Sequence, residues 1–241
     1  MGIFDGKVAL VTGASAGIGL AAARDFASKG ASVVIAARRE TEGTAAAEKI
    51  VSEGGAVIFV KTDVTDEAQV KNMVDQTVAT YVRLDYAFNN AGILGDISGF
   101  ADGTVENFTN VMDINVTGMF LCMKYEIQAM LNNGGGAIVS NSSIGGQRAS
   151  GVGVPAYYVS KHAVLGLTKS GAKTHGKDGI RVTAVLPGHT QTRMIDAVYD
   201  SAPGGRDTGK QNPESSIPQE RLGDPDEIAK VVTFLCSDDA S

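Results

Sequence analysis

Cysteine is scarce in this sequence, since the 241 residues include only Cys122 and Cys236, far apart in the chain. Neither belongs to a CxxC pair or a Cys/His cluster, and the three histidines, His162, His175 and His189, lack metal-ligand spacing. We therefore expect no metal site and two buried thiols in a reducing compartment. We also expect His162, beside Lys161, to be an ordinary helix residue.

Basic residues and long apolar runs are also few. Lysine and arginine total 21 against 27 acidic residues, giving a net charge of −6 and a pI near 5.1. This balance opposes nucleic-acid binding, which normally needs a concentrated positive surface. No stretch approaches the roughly 18 apolar residues of a membrane span, and the first residues lack the pattern of a signal peptide. We therefore expect a cytoplasmic protein with no nucleic-acid or membrane partner.

Apolar runs do occur, in regular alternation with helix-like segments. Runs such as VALVT, SVVIA and AIVS carry no polar alternation, as expected of strands that helices cover on both faces. With 241 residues and 43% hydrophobic residues, the chain suits one domain. We predict a single α/β domain over 1–241, a Rossmann-type doubly wound parallel sheet. The predicted strands are Lys7–Thr12, Ala31–Ala37, Ala56–Thr62, Leu84–Asn89, Gly136–Ser140 and Arg181–Pro187.

A glycine turn, TGASAGIG, follows the first predicted strand and precedes a helix. Such a turn lets the backbone approach a pyrophosphate, which then lies at the positive end of the helix. Turns collect glycine in any case, but this position in the first strand–helix unit favours a dinucleotide site. The candidate contacts are Gly13, Ser15, Gly17, Ile18 and Gly19.

The end of the second predicted strand bears on which dinucleotide is bound. A carboxylate there accepts hydrogen bonds from the ribose of NAD, whereas an arginine binds the 2′-phosphate of NADP. Here Arg38 and Arg39 stand at the strand end, and the first acid, Glu40, follows them. We favour NADP(H), with Arg38 as the first contact and Arg39 as the second. A solvated basic pair on a surface turn is the alternative reading.

Six motifs, in order and at compatible intervals, resemble the short-chain dehydrogenase/reductase family: TGASAGIG, Asn89-Asn90-Ala91-Gly92, Asn115 in INVTG, Ser142-Ser143, Tyr157-x-x-x-Lys161 and Pro187-Gly188. The resemblance covers Lys7 to about Asp239 and implies a Rossmann-type fold with seven parallel strands. It implies that the catalytic residues are Asn115, Ser143, Tyr157 and Lys161. The implied cofactor contacts beyond the glycine turn are Asp63, Val64, Asn89, Ala91, Gly92, Tyr157, Lys161, Pro187, Gly188, Thr190 and Thr192.

Three features depart from the family pattern. The family usually has isoleucine or valine where this chain has Thr190, and many NADP-using members carry a basic residue where it has Ala16. NAD(H) therefore stays open as the cofactor. The family also usually continues past FLCSDDAS into a last strand. We therefore expect this sequence to be truncated at Ser241.

The tyrosine and lysine of the fifth motif lie four residues apart in a segment of helical period. A free phenol, with a pKa of about 10, is a poor base at neutral pH. We expect the ammonium of Lys161 to lower the pKa of Tyr157 by roughly three pH units. Tyr158 is also within reach of Lys161, so the spacing leaves both tyrosines open and only the family motif selects Tyr157.

The resemblance assigns further roles. Ser143, rather than Ser142, would hydrogen-bond the substrate oxygen, and Asn115 would fix a helix backbone and a water through which Lys161 passes protons. His189 follows the Pro-Gly pair, where the family's substrate pocket forms, and we expect 193–218 to cover that pocket as a lid.

The whole pattern predicts an NADP(H)-dependent oxidoreductase that transfers a hydride between nicotinamide and a ketone or secondary alcohol. An NAD-linked alcohol dehydrogenase of the same family is one alternative, and a non-enzymatic NADP(H)-binding regulator is another. A methyltransferase is disfavoured, because its adenosyl ribose would call for an acid where Arg38 stands. By resemblance we expect a homotetramer whose dimers bury helices Phe108–Leu131 and Tyr157–His175.

Overall fold

The computed structural model describes residues 2–200 and 217–241, and in them six strands form one parallel sheet. The strands are β1 Val8–Thr12, β2 Ser32–Ala37, β3 Ala56–Lys61, β4 Tyr86–Asn89, β5 Gly136–Asn141 and β6 Ile180–Val185. Each lies within about two residues of its predicted bounds. Their order is β3-β2-β1-β4-β5-β6, so the Rossmann-type prediction is confirmed. A seventh strand, which the resemblance implies, is not among the described residues.

Helices cover both faces of the sheet. They are α1 Gly17–Ser28, α2 Glu40–Ser52, α3 Glu67–Tyr81, α4 Val105–Met112, α5 Gly118–Asn132, α6 Pro155–His175, α7 Arg193–Asp200 and α8 Pro225–Cys236. The helix predicted over Phe108–Leu131 is divided by a π-helical turn, Asp113–Thr117, that joins α4 to α5. In the described ranges, no helix is both long and apolar enough to cross a membrane. The predicted lid, 193–218, lies mostly in residues 201–216, outside the described part, and stays a prediction.

The core has two layers, one on each face of the sheet. One layer packs α1 and α8 against the sheet around Phe26 and Phe88, and the other packs α3 and α5 against it around Met73 and Ile138. Every residue of β1 is buried, which accounts for its lack of polar alternation. Cys236 lies in the first layer and Cys122 in the second, both as free buried thiols, as predicted.

Candidate active site

The strand order places a crevice at the carboxyl ends of β1 and β4, because the chain moves outward from β1 in both directions. Side chains tie the strand ends together there. The hydroxyl of Thr12 accepts hydrogen bonds from the backbone N–H of Asn90 (3.0 Å) and of Ala91 (3.1 Å). Asn90 in turn donates to the carbonyl of Thr12 and accepts from Asn141 at the end of β5. The Asn89–Gly92 segment is therefore held rigidly beside the glycine turn.

The glycine turn is shaped by positions where a side chain would not fit. Gly13 and Gly17 have φ values of +66° and +57°, in the left-handed region that favours glycine. A Cβ on Gly19 would lie 2.5 Å from Asn90 Nδ2 and 2.7 Å from the carbonyl oxygen of Gly13. Helix α1 begins here with no side-chain cap and no acid in its first turn. Its first N–H groups remain available to an anion, so the turn fits a pyrophosphate.

The two arginines after β2 point to different parts of this crevice. Arg39 donates through Nη2 to the hydroxyl of Ser15 in the glycine turn at 3.2 Å and pairs with Glu42 at 3.2 Å. Arg38 extends the other way, with Nη1 4.0 Å from Oδ2 of Asp63 after β3. The nearest acid in sequence, Glu40, pairs with Lys61 at 3.1 Å. The edge of the crevice therefore presents guanidinium groups rather than a free carboxylate.

Residues Asp63 and Val64 follow β3 at the same edge. The carboxylate of Asp63 accepts from the backbone and hydroxyl of Thr65, and Val64 is buried against Gly118 at the start of α5. Ile18, by contrast, packs its side chain against the apolar layer around α1.

The serine, tyrosine and lysine of the predicted catalytic set meet on the other side of the crevice. Lys161 Nζ lies 5.5 Å from the ring centroid of Tyr157, and the Tyr157 hydroxyl interacts with the side chain of Ser143. Tyr158 turns away, since its hydroxyl pairs with Ser150 at 2.6 Å and contacts the carbonyl of Val152. The structure thus separates two tyrosines that spacing left equivalent.

The expected lowering of the Tyr157 pKa is wrong for this structure. Burial raises the pKa of Tyr157, and the contact with Ser143 offsets only part of that rise. Lys161 is only 4% exposed, and the loss of hydration lowers its pKa to about 8. The sequence argument treated Lys161 as a fixed charge in a solvated setting. In the folded protein, desolvation acts on both groups and favours their neutral forms.

The fourth predicted residue, Asn115, lies in the π-helical turn. Its side chain accepts from the backbone N–H of Ile93 at 2.8 Å and donates to the carbonyl of the same residue at 2.9 Å. It also donates to Ser160 Oγ at 3.0 Å, and Ser160 donates to the carbonyl of Tyr157. Lys161 Nζ donates to the carbonyl of Asn141 at 2.7 Å. A continuous polar network therefore joins Asn115 to the Tyr-Lys helix.

The segment that follows β6, Pro187 to Thr192, packs against two other parts of the site. The carbonyl of Pro187 accepts from the N–H of Ile144, next to Ser143, at 3.1 Å. Thr190 is buried and donates to the carbonyl of Gly188 at 3.1 Å. The methyl group of Thr192 lies 3.3 Å from where a Cβ on Gly17 would be. These contacts bring the Pro-Gly segment against both the serine loop and the glycine turn.

His189 lies between these residues and α7. Its Nδ1 is 3.3 Å from the hydroxyl of Tyr199, and burial, followed by the charge of Arg148, lowers its pKa. His162 is exposed on α6, where its Nδ1 meets the carbonyl of Tyr158. In the described ranges, no group of three acidic, cysteine or histidine residues is arranged to hold a metal ion.

Sequence reasoning missed several residues that shape the site. Thr12 and Asn141 anchor the strand ends, Ser160 joins Asn115 to α6, and Glu126 is buried against Asn89. Ser160 could have been suspected from its place before Lys161. Thr12 opens the TGASAGIG motif, but the motif did not mark it as an anchor. Asn141 and Glu126 have no signal in the sequence, because an asparagine or a glutamate is ordinary at the end of a strand or on a helix.

Both the fold and the site define a class: a Rossmann-type α/β protein with a dinucleotide crevice and a Ser-Tyr-Lys cluster beside it. The sequence model of a family described as "Enoyl-(Acyl carrier protein) reductase" matches residues 13–241. An A-factor type γ-butyrolactone 1′-reductase of Streptomyces virginiae is 41% identical over 249 aligned residues, covering 100% of this chain and 92% of that protein. Cyclohexanol dehydrogenase of an Acinetobacter strain is 39% identical, with 99% and 90% covered.

Solved structures agree with these relatives. The crystal structure of levodione reductase superposes with a TM-score of 0.93 at 33% identity, over 98% of this chain and 93% of that one. An actinorhodin polyketide ketoreductase variant with NADPH gives a TM-score of 0.90 at 31% identity, over 97% and 91%. The chain belongs to the short-chain dehydrogenase/reductase family and is an oxidoreductase of that family.

Proposed function

We propose that this protein is an NADP(H)-dependent oxidoreductase that interconverts a ketone and a secondary alcohol. The observation that carries the proposal is the meeting of Ser143, Tyr157 and Lys161 beside the Asn89–Gly92 segment and the glycine turn. The names of two relatives support the reaction class, since one is a reductase of a butyrolactone and another a dehydrogenase of cyclohexanol.

Residues around the crevice would hold the dinucleotide. The glycine turn (Gly13, Ser15, Gly17, Ile18, Gly19) would hold the pyrophosphate, and the Asn89–Gly92 segment with Asp63 and Val64 would line the adenosine side. Tyr157, Lys161 and the stretch Pro187, Gly188, Thr190 and Thr192 would lie at the nicotinamide end. When bound, the nicotinamide supplies or accepts the hydride.

NADP(H) is our choice over NAD(H) because of the charges at the end of β2. Arg38 and Arg39 are both more than two-fifths exposed, so their guanidinium groups are accessible to a ligand. Glu40, which could otherwise bind ribose hydroxyls, is engaged by Lys61. A 2′-phosphate would form ion pairs with the arginines and accept hydrogen bonds from their guanidinium groups.

The proton chemistry follows from the three side chains. In reduction, the Tyr157 hydroxyl donates its proton to the carbonyl oxygen as that oxygen gains charge, while the Ser143 hydroxyl holds the same oxygen by a hydrogen bond. Lys161 stabilises the phenolate that remains. The network through Asn115 and Ser160 fixes the helix that carries both residues.

The kcat/KM for ketone reduction and the kcat/KM for alcohol oxidation should change in opposite directions as the pH rises. Because burial raises the pKa of Tyr157, the phenol stays protonated at neutral pH and serves reduction. Reduction should decline above about pH 8, where Lys161 loses its proton, while alcohol oxidation, which needs phenolate, should rise with pH. Measuring kcat/KM in both directions from pH 6 to 10 checks this. Oxidation that is independent of pH over that range would contradict the assignment of Tyr157 as the proton carrier.

The test of the proposed function is direct. The protein is titrated with NADPH and NADH, and the absorbance at 340 nm is then followed against a panel of cyclic and linear ketones. Binding with turnover supports the proposal. The regulator alternative would instead be favoured by two results together. The protein would bind NADPH but turn over none of the ketones, and replacing Tyr157 in cells would leave the protein's cellular effect intact.

We also propose a homotetramer. The helices expected at its interfaces carry large apolar side chains that are exposed in the single chain, namely Phe108, Phe120, Leu131 and Val159. Exposed apolar groups on neighbouring helices are typical of surfaces that other subunits cover. Light scattering after gel filtration gives the assembly mass, and a monomer would overturn this part of the proposal.

A further inference from the structure

Glu126 is a fully buried carboxyl group that the proposed chemistry does not use. It lies on α5 with no solvent exposure, and its Oε2 accepts a hydrogen bond of 2.7 Å from Nδ2 of Asn89 at the end of β4. Asn89 is itself only 1% exposed. Neither Oε1 of Glu126 nor Oδ1 of Asn89 has a hydrogen-bond partner in the described part of the chain. An acid and an amide thus face each other in an otherwise apolar layer.

The surroundings of Glu126 favour an uncharged acid. Within 2–200 and 217–241 it forms no ion pair, and burial raises its pKa to about 8 despite the hydrogen bond from Asn89. The titratable group that interacts with it is the thiol of Cys122, one turn earlier on α5, whose pKa is also raised by burial and by Glu126. Among the described residues, no cation on a neighbouring element offsets a negative charge here, so ionisation would leave that charge buried and unpaired.

The amide that Glu126 holds belongs to the proposed cofactor crevice. Asn89 lines a narrow cleft together with Thr12, Val64, Ala91, Gly118, Met119 and Cys122. It opens the Asn89–Gly92 segment, whose next two N–H groups are bound by Thr12. Because the two ends of an amide differ in hydrogen bonding, the contact with Glu126 determines which end of Asn89 stays unpaired.

We propose that Glu126 is a positioning residue for the cofactor: through its hydrogen bond it orients the Asn89 amide, and through that amide the start of the Asn89–Gly92 segment. The inference rests on the proposed function, because it takes this segment to be part of the dinucleotide site. Ionised Glu126 would add a buried negative charge beneath a site for an anionic ligand. Affinity for the dinucleotide should therefore fall as Glu126 loses its proton.

The test compares the pH dependence of NADPH binding in the wild type and in Glu126→Gln, which keeps an acceptor for Asn89 but cannot ionise. For a group with a pKa of about 8 whose neutral form alone binds, the Kd rises about tenfold between pH 7 and pH 9. Glu126→Gln should bind within about threefold of the wild type at pH 7 and lack this rise. Lys161, whose pKa is also about 8, affects the pH dependence of the Kd equally in both proteins. The difference between the two pH profiles therefore reports on Glu126.

A second variant, Glu126→Leu, removes the acceptor altogether. It should raise the Kd about tenfold at every pH, as expected for an unpaired buried amide, while kcat at saturating NADPH stays within a few-fold. Ile127→Val, a smaller change at the next buried position of α5, is the control for altered packing and should leave the Kd unchanged. Thermal unfolding of all variants, followed by fluorescence, verifies that each is folded.

The outcomes separate the two proposals. A wild-type protein that binds neither NADPH nor NADH overturns the proposed function, and this inference with it. A wild type that binds NADPH, with Glu126→Gln showing the same rise in Kd between pH 7 and 9, overturns the role of Glu126 alone. A Kd for Glu126→Leu equal to that of Ile127→Val does the same, because it would show that Glu126 only fills the core.

Discussion

Replacing Tyr157 with phenylalanine should lower kcat by about 10²- to 10⁴-fold, the range expected when a positioned proton donor is lost. The change removes one hydroxyl and leaves the ring against Lys161, so the Kd for NADPH should stay within about threefold of the wild-type value. Steady-state reduction of the best ketone, together with a fluorescence titration of NADPH, measures both quantities.

The neighbouring tyrosine provides a matched control. Tyr158→Phe also removes one phenolic hydroxyl from α6, but that hydroxyl pairs with Ser150 and the carbonyl of Val152 rather than with Ser143. Its kcat should stay within a few-fold of the wild type. The experiment therefore decides between two tyrosines that sequence spacing treats alike. Near-normal turnover in Tyr157→Phe, or an equal loss in Tyr158→Phe, would contradict the assignment of Tyr157.

Replacing Arg38 with alanine should weaken NADPH binding by about 10- to 100-fold, as expected when charge-assisted hydrogen bonds to a phosphate are lost. NADH lacks the 2′-phosphate, so its Kd should change little. With the residues that the structure describes, Arg38 makes only a distant ion pair, with Asp63 at 4.0 Å, so the variant should not disturb the fold. Isothermal titration with both cofactors measures the change in preference.

Two further variants sharpen the result. Arg39→Ala should show a smaller loss of NADPH affinity, because Arg39 is already engaged by Ser15 and Glu42. Lys49→Ala removes one positive charge from an exposed position in the last turn of α2, and it controls for a general electrostatic effect. Equal losses for NADPH and NADH in Arg38→Ala would remove Arg38 as the discriminator and favour the NAD-linked alternative.

The pKa of Tyr157 is raised in the structure, whereas the sequence predicts that it is lowered. Spacing placed Lys161 near Tyr157, and the structure has its Nζ 5.5 Å from the ring. Spacing did not reveal that Lys161 is buried and that Tyr157 is partly buried. Desolvation raises the pKa of the phenol and lowers that of the ammonium, so the balance between them depends on the surrounding protein rather than on the pair itself.

The sequence by itself determined the six strands, their parallel arrangement and the family, because apolar runs, a glycine turn and ordered motifs can be recognised without a structure. It also brought the candidate residues to one edge of the sheet, since parallel strands share their carboxyl ends. Spacing left two tyrosines open, and the family resemblance selected Tyr157. Only the tertiary structure showed that Tyr158 bonds to Ser150 instead, where Arg38 and Arg39 point, and that Glu126 is buried against Asn89. Those outcomes depend on contacts between residues tens of positions apart and on the exclusion of water. The spacing of residues along the chain predicts neither the contacts nor the burial.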